Sequence, residues 1–284
     1  MRAIVVGAGT MGRGIAQLLA LHGHDVQLAD ADEALTQRAI ASAAESLGRA
    51  AARGRITAEE ASAAHARLSP DDGSAADVAI EAVPERLELK QAIIAALDER
   101  LPRGSIVATN TSSLSISAIA GDLPGRGRIV GMHFFNPPLA MPLIEIVRGG
   151  ATDPGVVERA RELAVSLGKE PIVVQDVPGF ATSRLGILLG LEAARMLEEG
   201  VASAADIDRA MELGYGHPMG PLRLGDLVGL DVRLAIAEHL EQELGPRFAP
   251  PQILRDLVSA GHLGKKTGRG FHDYPDGART TLPA

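Results

Sequence analysis

The chain contains no cysteine and no tryptophan, and only 2% of its residues are aromatic. Without thiols there is no disulfide, no thiolate nucleophile and no cysteine-based zinc centre, and composition carries no mark of redox compartment. A core with so few rings must be assembled from Ala, Val, Ile and Leu, which suits a parallel sheet covered by helices. No apolar run approaches the roughly 18 residues that a membrane-crossing helix needs, and no block of consecutive basic residues with interleaved aromatics is present. With a formal net charge of −8, neither nucleic acid nor a membrane is an expected partner, and any site for an anionic ligand must be local. Met1 opens directly onto the strand-like Arg2-Ala3-Ile4-Val5-Val6, with no charged leader before it, so the expected location is the cytoplasm.

What is present is a chain of 284 residues with 46% hydrophobic and 23% charged content, enough for one large or two ordinary domains. Short apolar runs at 3–6 and 26–29 read as strands, and 10–22 repeats apolar residues at helical spacing, which makes a βαβ unit. Ala-rich stretches at 32–53 and 57–67 read as a helical pair inserted between strands, the second opening on a capping box from Thr57 to Glu60. Strand patterns resume at 78–82, 106–108, 129–132 and 143–147, with a helix predicted over 85–101. A helix over 154–167 and a strand over 171–175 complete this part. After Asp176-Val177-Pro178-Gly179 only helical patterns follow, at 180–199, 204–213, 227–244 and 251–260, and the last dozen residues are expected to be loose. The expected fold is therefore α/β: a Rossmann-type, doubly wound, mostly parallel sheet with a helical-pair insertion (1–178), followed by an all-α C-terminal domain (179–284).

Gly7-Ala8-Gly9-Thr10-Met11-Gly12 matches GxGxxG with a strand before it, a helix after it and an acidic residue closing the next strand. In such a turn Gly7 permits the tight bend, Gly9 lets backbone approach a pyrophosphate, and Gly12 lets helix and strand pack closely. The N–H groups around Thr10 and Met11 face the phosphates. Asp30 is placed to hydrogen-bond an adenosine ribose and to repel a 2′-phosphate, and Ala31 provides no arginine to welcome one, so NAD is expected over NADP. Asp30 also reads as a helix N-cap.

His133 and Glu145 flank a short Pro-rich return loop, twelve residues apart. Their spacing fits a base with an orienting carboxylate, and equally a core histidine with a surface glutamate. Asn110-Thr111-Ser112-Ser113 follows a strand and would stand at the carboxyl edge of the sheet, or would simply cap a helix.

Taken with the N-terminal turn, the motifs Glu81-Ala82-Val83-Pro84-Glu85, Asn110-Thr111-Ser112-Ser113-Leu114, Gly131-Met132-His133-Phe134-Phe135-Asn136-Pro137, Pro178-Gly179-Phe180, Pro218-Met219-Gly220-Pro221 and Gly268-Arg269-Gly270-Phe271 run in family order. The chain resembles the L-3-hydroxyacyl-CoA dehydrogenases from end to end, and in particular the short, stand-alone 3-hydroxybutyryl-CoA dehydrogenases. The resemblance implies reversible, NAD-linked oxidation of an L-3-hydroxyacyl-CoA to the 3-oxoacyl-CoA, with His133 as general base and Glu145 as its partner. It further implies that Ser112 bonds substrate, that Asn110 lies at the nicotinamide end, and that Glu85, Lys90, Asn136 and Lys266 contact cofactor. Arg49, Arg53 and Arg55 match a basic stretch suited to coenzyme A phosphates. No metal is implied, and a homodimer through the C-terminal domain is. Two departures stand out: Ser183 replaces the Asn that the family commonly places in the active site, and Pro142 replaces a common Lys. Rival readings are a dehydrogenase of a free hydroxy or sugar acid, similar to L-gulonate dehydrogenases, and a non-catalytic dinucleotide-binding protein.

Overall fold

The computed structural model describes residues 1–275 and divides the chain into two compact units, Met1–Val177 and Pro178–Ala284. The expectation for the C-terminal dozen falls mostly outside the described residues. In the first unit, β1 (Arg2–Val6), α1 (Thr10–Leu21) and β2 (Asp25–Ala29) form the opening βαβ unit. The helical pair α2 (Glu33–Ala52) and α3 (Ala58–Ala66) leads into β3 (Leu68–Pro70), β4 (Val78–Glu81), α4 (Leu87–Arg100) and β5 (Ile106–Thr109). A short α5 (Ile116–Ala120), then β6 (Ile129–Phe134), β7 (Leu143–Arg148), α6 (Pro154–Ser166) and β8 (Glu170–Gln175) complete it.

The eight strands lie in the order β3-β2-β1-β4-β5-β6-β7-β8. Every pairing is parallel except that of β6 with β7. Winding reverses between β1 and β4, so the carboxyl ends of these two strands open the crevice where doubly wound sheets take their ligands. Residues of β4, β5 and β6 are buried without alternation, as expected of strands covered on both faces. The core is aliphatic: Ile4, Ile15, Leu19, Leu28, Ile80 and Ile94 are among its fully buried side chains. Each contributes about 1.5–3 kcal/mol of hydrophobic stabilisation.

The capping box at the start of α3 is present, with Glu60 N–H donating to Thr57 Oγ1 at 3.0 Å and Thr57 N–H to Glu60 Oε2 at 2.7 Å. Four elements differ from the sequence expectation, the first being α5, for which no helix is predicted. β3 follows α3 directly; its three residues are too few for a readable alternation, and Pro70 suits it only to the edge position it occupies. The helix predicted from 85 begins instead at Leu87, leaving Glu85 in the connection before it. The helix predicted over 227–244 begins only at Leu230, because Gly229 at φ +110° separates it from another helix, Pro221–Val228, whose last two residues alone fall in the predicted span.

The second unit comprises α7 (Thr182–Glu198), α8 (Ala204–Tyr215), α9 (Pro221–Val228), α10 (Leu230–Leu244) and α11 (Gln252–Ser259). Ile187, Leu191, Leu230, Ala237, Leu240, Phe248 and Leu254 form one core cluster. Two buried carboxylates tie its family motifs together. Asp208 accepts from the N–H groups of Leu222 and Arg223 and from His272 Nε2, and Asp226 accepts from the N–H groups of Phe271 and His272. Burial pushes the Asp226 carboxyl up despite those donors. Among the described residues no helix is long and apolar enough to cross a membrane.

Candidate active site

The turn after β1 is built as tightly as its glycines imply. Gly7 has φ +108°, and a Cβ there would lie 2.6 Å from the Ala82 carbonyl oxygen just beyond β4. A Cβ on Gly12 would lie 1.8 Å from the Gly7 carbonyl oxygen, so the first turn of α1 closes onto the loop that feeds it. Gly9 opens α1, a Cβ there would meet nothing within 4 Å, and the helix start has neither a side-chain cap nor an acidic residue in its first turn. Open space at an uncapped helix N-terminus, carrying about half a positive charge, is what a pyrophosphate needs. Thr10 and Met11 occupy that first turn.

Asp30 stands just past β2, and its Oδ2 accepts the Ala8 N–H at 2.8 Å, joining the acidic residue to the glycine turn. It does not cap α2: Asp32 does, accepting from the Ala34 N–H at 2.8 Å. Arg38, an arginine near this edge, pairs with Asp32 at 3.7 Å. An adenosine ribose with free hydroxyls fits this edge, and the residues present fit NAD.

At the far side of the crevice His133 and Glu145 face each other across the antiparallel β6–β7 pair. His133 Nδ1 and Glu145 Oε2 are 2.7 Å apart, with the histidine 7% exposed and the glutamate 0%. The register explains the twelve-residue spacing: a hairpin places one directly opposite the other, side chains on one face. A buried carboxylate on Nδ1 sets the tautomer that presents Nε2 for proton exchange. The Phe135 ring lies 4.6 Å from the imidazole, centroid to centroid.

The loop after β5 is tied to this pair and to β4. Asn110 Oδ1 accepts the Phe134 N–H at 2.8 Å, beside His133. Glu85 Oε1 accepts from Thr111 Oγ1 at 2.6 Å, Ser112 N at 2.9 Å, Ser112 Oγ at 3.3 Å, Ser113 N at 3.0 Å and Ser113 Oγ at 3.1 Å. Lys90 is not a solvated helix residue. Its ammonium is 1% exposed and lies 2.8 Å from Glu81 Oε1 and 3.3 Å from Glu85 Oε2. Glu81, fully buried, also accepts from Val83 N–H at 2.7 Å and Thr109 Oγ1 at 2.6 Å. Burial pushes the Glu85 carboxyl up, but the Lys90 charge and the donors of Thr111, Ser112 and Ser113 outweigh it and hold it below the usual range.

Sequence reasoning assigned no role to Glu81, Thr109 or Thr111. The available signal was a carboxylate ending an otherwise apolar strand, a residue that must be paired to be buried.

Asn136 is exposed in the β6–β7 loop, which packs on α1: a Cβ at Gly14 would lie 2.9 Å from the Pro138 ring. Arg49, Arg53 and Arg55 line a groove of about 390 Å³ together with Leu18, Leu47 and Ile56, giving three cations around an apolar floor. Beside Pro142, Lys169 Nζ donates to the Met141 carbonyl at 2.9 Å, so a cation stands near that turn from another element. Ser183 and Lys266 belong to the second unit. Ser183 lies in the first turn of α7, and Lys266 Nζ is held by Asp231 at 2.6 and 2.7 Å. Among the described residues no group of His, Asp and Glu is arranged to hold a metal ion.

A glycine turn at the switch point and a buried histidine–carboxylate pair stand at the same sheet edge, the arrangement that NAD-linked hydride and proton transfer would call for. Residues 2–177 match the 3-hydroxyacyl-CoA dehydrogenase NAD binding domain, and residues 179–274 match the C-terminal domain of the same enzymes. The chain belongs to the 3-hydroxyacyl-CoA dehydrogenase family. It is 43% identical to the 3-hydroxyadipyl-CoA dehydrogenase of Escherichia coli K12 over 95% of this chain, which spans only 58% of that longer relative. It is 39% identical to the 3-hydroxybutyryl-CoA dehydrogenase of Clostridioides difficile, over 96% of this chain and 99% of that one. The crystal structure of (S)-3-hydroxybutyryl-CoA dehydrogenase from Ralstonia eutropha superposes with a TM-score of 0.91 at 40% identity, covering 96% of this chain and 98% of that one.

Proposed function

We propose that this chain catalyses the reversible NAD-linked oxidation of an L-3-hydroxyacyl-CoA, such as 3-hydroxybutyryl-CoA, to the 3-oxoacyl-CoA. The observation that carries this reading is the 2.7 Å contact between His133 and Glu145, buried at the ligand edge of the sheet. Bound NAD supplies the acceptor for the hydride that leaves C3. His133 Nε2 takes the hydroxyl proton as general base, so that a neutral ketone forms, a contribution of roughly two to four powers of ten. Glu145 holds the Nδ1–H and stabilises the imidazolium that results. Ser112 hydrogen-bonds the reacting oxygen, Asn110 braces the end of β6 at the nicotinamide side, and Ser183 takes the polar position of the family Asn through a shorter side chain. Asp30 selects NAD by accepting from the ribose hydroxyls. The glycine turn and the first turn of α1 hold the pyrophosphate, and Asn136 and Lys266 complete the cofactor contacts.

The arginine-lined groove supports the CoA moiety, with Arg49, Arg53 and Arg55 meeting its phosphates. The protein acts in the cytoplasm as a homodimer through its helical unit, where Leu185, Leu213 and Tyr215 are 68%, 70% and 79% exposed. Light scattering at micromolar concentration reports the dimer.

The deciding assay follows NADH with L-3-hydroxybutyryl-CoA, a longer-chain homologue, 3-hydroxyadipyl-CoA and L-gulonate. Turnover confined to thioesters is the expected result. Turnover of L-gulonate with no thioester activity moves the protein to the sugar-acid dehydrogenases, and no turnover of any substrate overturns the catalytic reading.

A further inference from the structure

The geometry points to Arg233 as a specificity-determining residue that receives the far end of the acyl chain when that end is a carboxylate. This inference rests on the proposed function for the reading of Ser183 as a substrate contact, and every residue it invokes lies within the helical unit.

Arg233 is out of place by the pattern of its own helix. Leu230, Ala237 and Leu240 of α10 are fully buried in the core cluster of this unit, and helical spacing puts Arg233 in the middle of their stripe. A guanidinium set among such residues loses hydration and needs a carboxylate in exchange. None of the described residues supplies one. Arg233 makes no ion pair with them, its Nε is buried without a hydrogen-bond partner, and burial lowers its basicity with no neighbouring charge to raise it again. A cavity of about 20 Å³ beside it is otherwise lined by apolar residues and glycine, among them Ile187, Gly190, Leu230, Leu254 and Phe271, so no acid borders it.

The guanidinium lies where the Ser183 flank of α7 is bare. The two helices run antiparallel, since a Cβ at Gly179 would lie 3.0 Å from Leu240 Cδ2 and one at Gly186 would lie 3.5 Å from Arg233 Nη1. Ser183, Gly186 and Gly190 follow one another at intervals of three and four residues on α7, so their positions share a flank of the helix. A Cβ at Gly190 would meet nothing within 4 Å. Glycines in a helix interior weaken it relative to alanine, and here they leave bare backbone that starts one turn beyond Ser183, about 4.5 Å along the axis. An acyl group held at Ser183 by its C3 oxygen therefore needs only a few further carbons to bring its end to Arg233. A carboxylate there accepts two parallel N–H bonds from the guanidinium and supplies the missing charge. A methyl end leaves the cation desolvated and unpaired, so the same residue disfavours it.

The test compares full-length wild type with Arg233→Met, which keeps a long apolar stem, and with Arg233→Lys, which keeps the charge but not the planar fork. Two pairs of six-carbon thioesters differ only at the far end, methyl against carboxylate. L-3-hydroxyhexanoyl-CoA and L-3-hydroxyadipyl-CoA are compared in turnover. Hexanoyl-CoA and adipyl-CoA, which lack the hydroxyl and do not react, are compared in binding by calorimetry. Under the proposal, wild type favours the carboxylate member at least tenfold in kcat/KM and in Kd. Arg233→Met cuts both ratios at least tenfold, and Arg233→Lys keeps part of each. Arg233→Met also unfolds at the same temperature as wild type or higher, because an unpaired buried cation has been removed.

Ratios within threefold of wild type in Arg233→Met overturn the proposal, as does an equal loss for both members of a pair. Unchanged ratios with a lowered unfolding temperature identify a packing role. Unchanged ratios with a thermal shift by chloride or phosphate that only wild type shows identify a site for a simple anion. Unchanged ratios with weaker self-association in light scattering identify an acid of a second copy as the partner. Each of these three results overturns the proposal. If Arg233→Met does not fold, the Arg233→Lys ratios and the wild-type preference between adipyl-CoA and hexanoyl-CoA decide the question. Wild-type protein that turns over neither hydroxyacyl thioester refutes the proposed function, while the calorimetric ratios still decide the role of Arg233.

Discussion

Replacing Glu145 with Gln isolates what its charge does, because the amide keeps the shape of the side chain and an oxygen able to accept from Nδ1–H. The carboxylate is fully buried and its Oε2 lies 2.7 Å from His133 Nδ1. When His133 takes up the substrate proton, a full positive charge appears beside it. With charge centres about 4 Å apart and an effective dielectric near 20, the lost attraction is about 4 kcal/mol, or roughly three powers of ten in rate. The amide can also present its NH₂ to Nδ1 and select the wrong tautomer, which acts in the same direction. The Glu145→Gln variant is therefore expected to lose about 10²–10³ in kcat for L-3-hydroxybutyryl-CoA oxidation. Its NADH Kd, set by the glycine turn and Asp30, should stay within about threefold, since these residues share no hydrogen bond with Glu145. The assay is stopped-flow NADH formation from L-3-hydroxybutyryl-CoA and NAD under single-turnover conditions, which separates chemistry from product release. A kcat within about tenfold of wild type would refute the reasoning, because the carboxylate would then add little beyond a neutral hydrogen bond of about 1 kcal/mol.

Asp30→Asn keeps an acceptor for the Ala8 N–H but removes the charge, so the NADH-to-NADPH preference should fall about tenfold in titrations of both cofactors, the size of one charge-assisted hydrogen bond; an unchanged ratio removes Asp30 from that role. Arg53→Glu should raise KM for acetoacetyl-CoA by about tenfold or more, with no change for the pantetheine thioester that lacks the nucleotide phosphates; equal effects on both would place the phosphates elsewhere. The Glu85 carboxyl is held below its ordinary value in the folded protein, so its contribution to stability is fully present above the unfolded pKa and is lost as pH falls through the folded one. Urea midpoints measured from pH 7 to pH 3 should therefore drop more steeply for wild type than for Glu85→Gln, and parallel curves would contradict this.

The parts of the site that were legible in the sequence are those in which chemistry is local. Gly7, Gly9 and Gly12 lie within six residues; a Cβ would collide with backbone at Gly7 and Gly12, and Gly9 keeps the helix start open, so spacing alone reveals the turn. His133 and Glu145 were legible for a related reason, since a hairpin turns a separation of twelve residues into direct opposition. The aliphatic composition anticipated a sheet buried on both faces, and the capping box of α3 was readable from four consecutive residues.

Only the tertiary structure decided what Glu85 and Lys90 do. On a helical wheel both pass as solvated charges, but Glu85 precedes the helix and reaches a loop 26–28 residues away, because β4 and β5 are neighbours in the sheet. The same holds for the helix cap, which falls to Asp32 while Asp30 is drawn to the Ala8 N–H 22 residues earlier. It holds too for Gly229, whose positive φ separates the helix at 221–228 from the one at 230–244, where the sequence pattern places a single start at 227. A one-dimensional pattern reports which residues must be buried and which backbones must bend. Which charge meets which donor depends on strand order, and strand order is decided by the packing of the whole sheet.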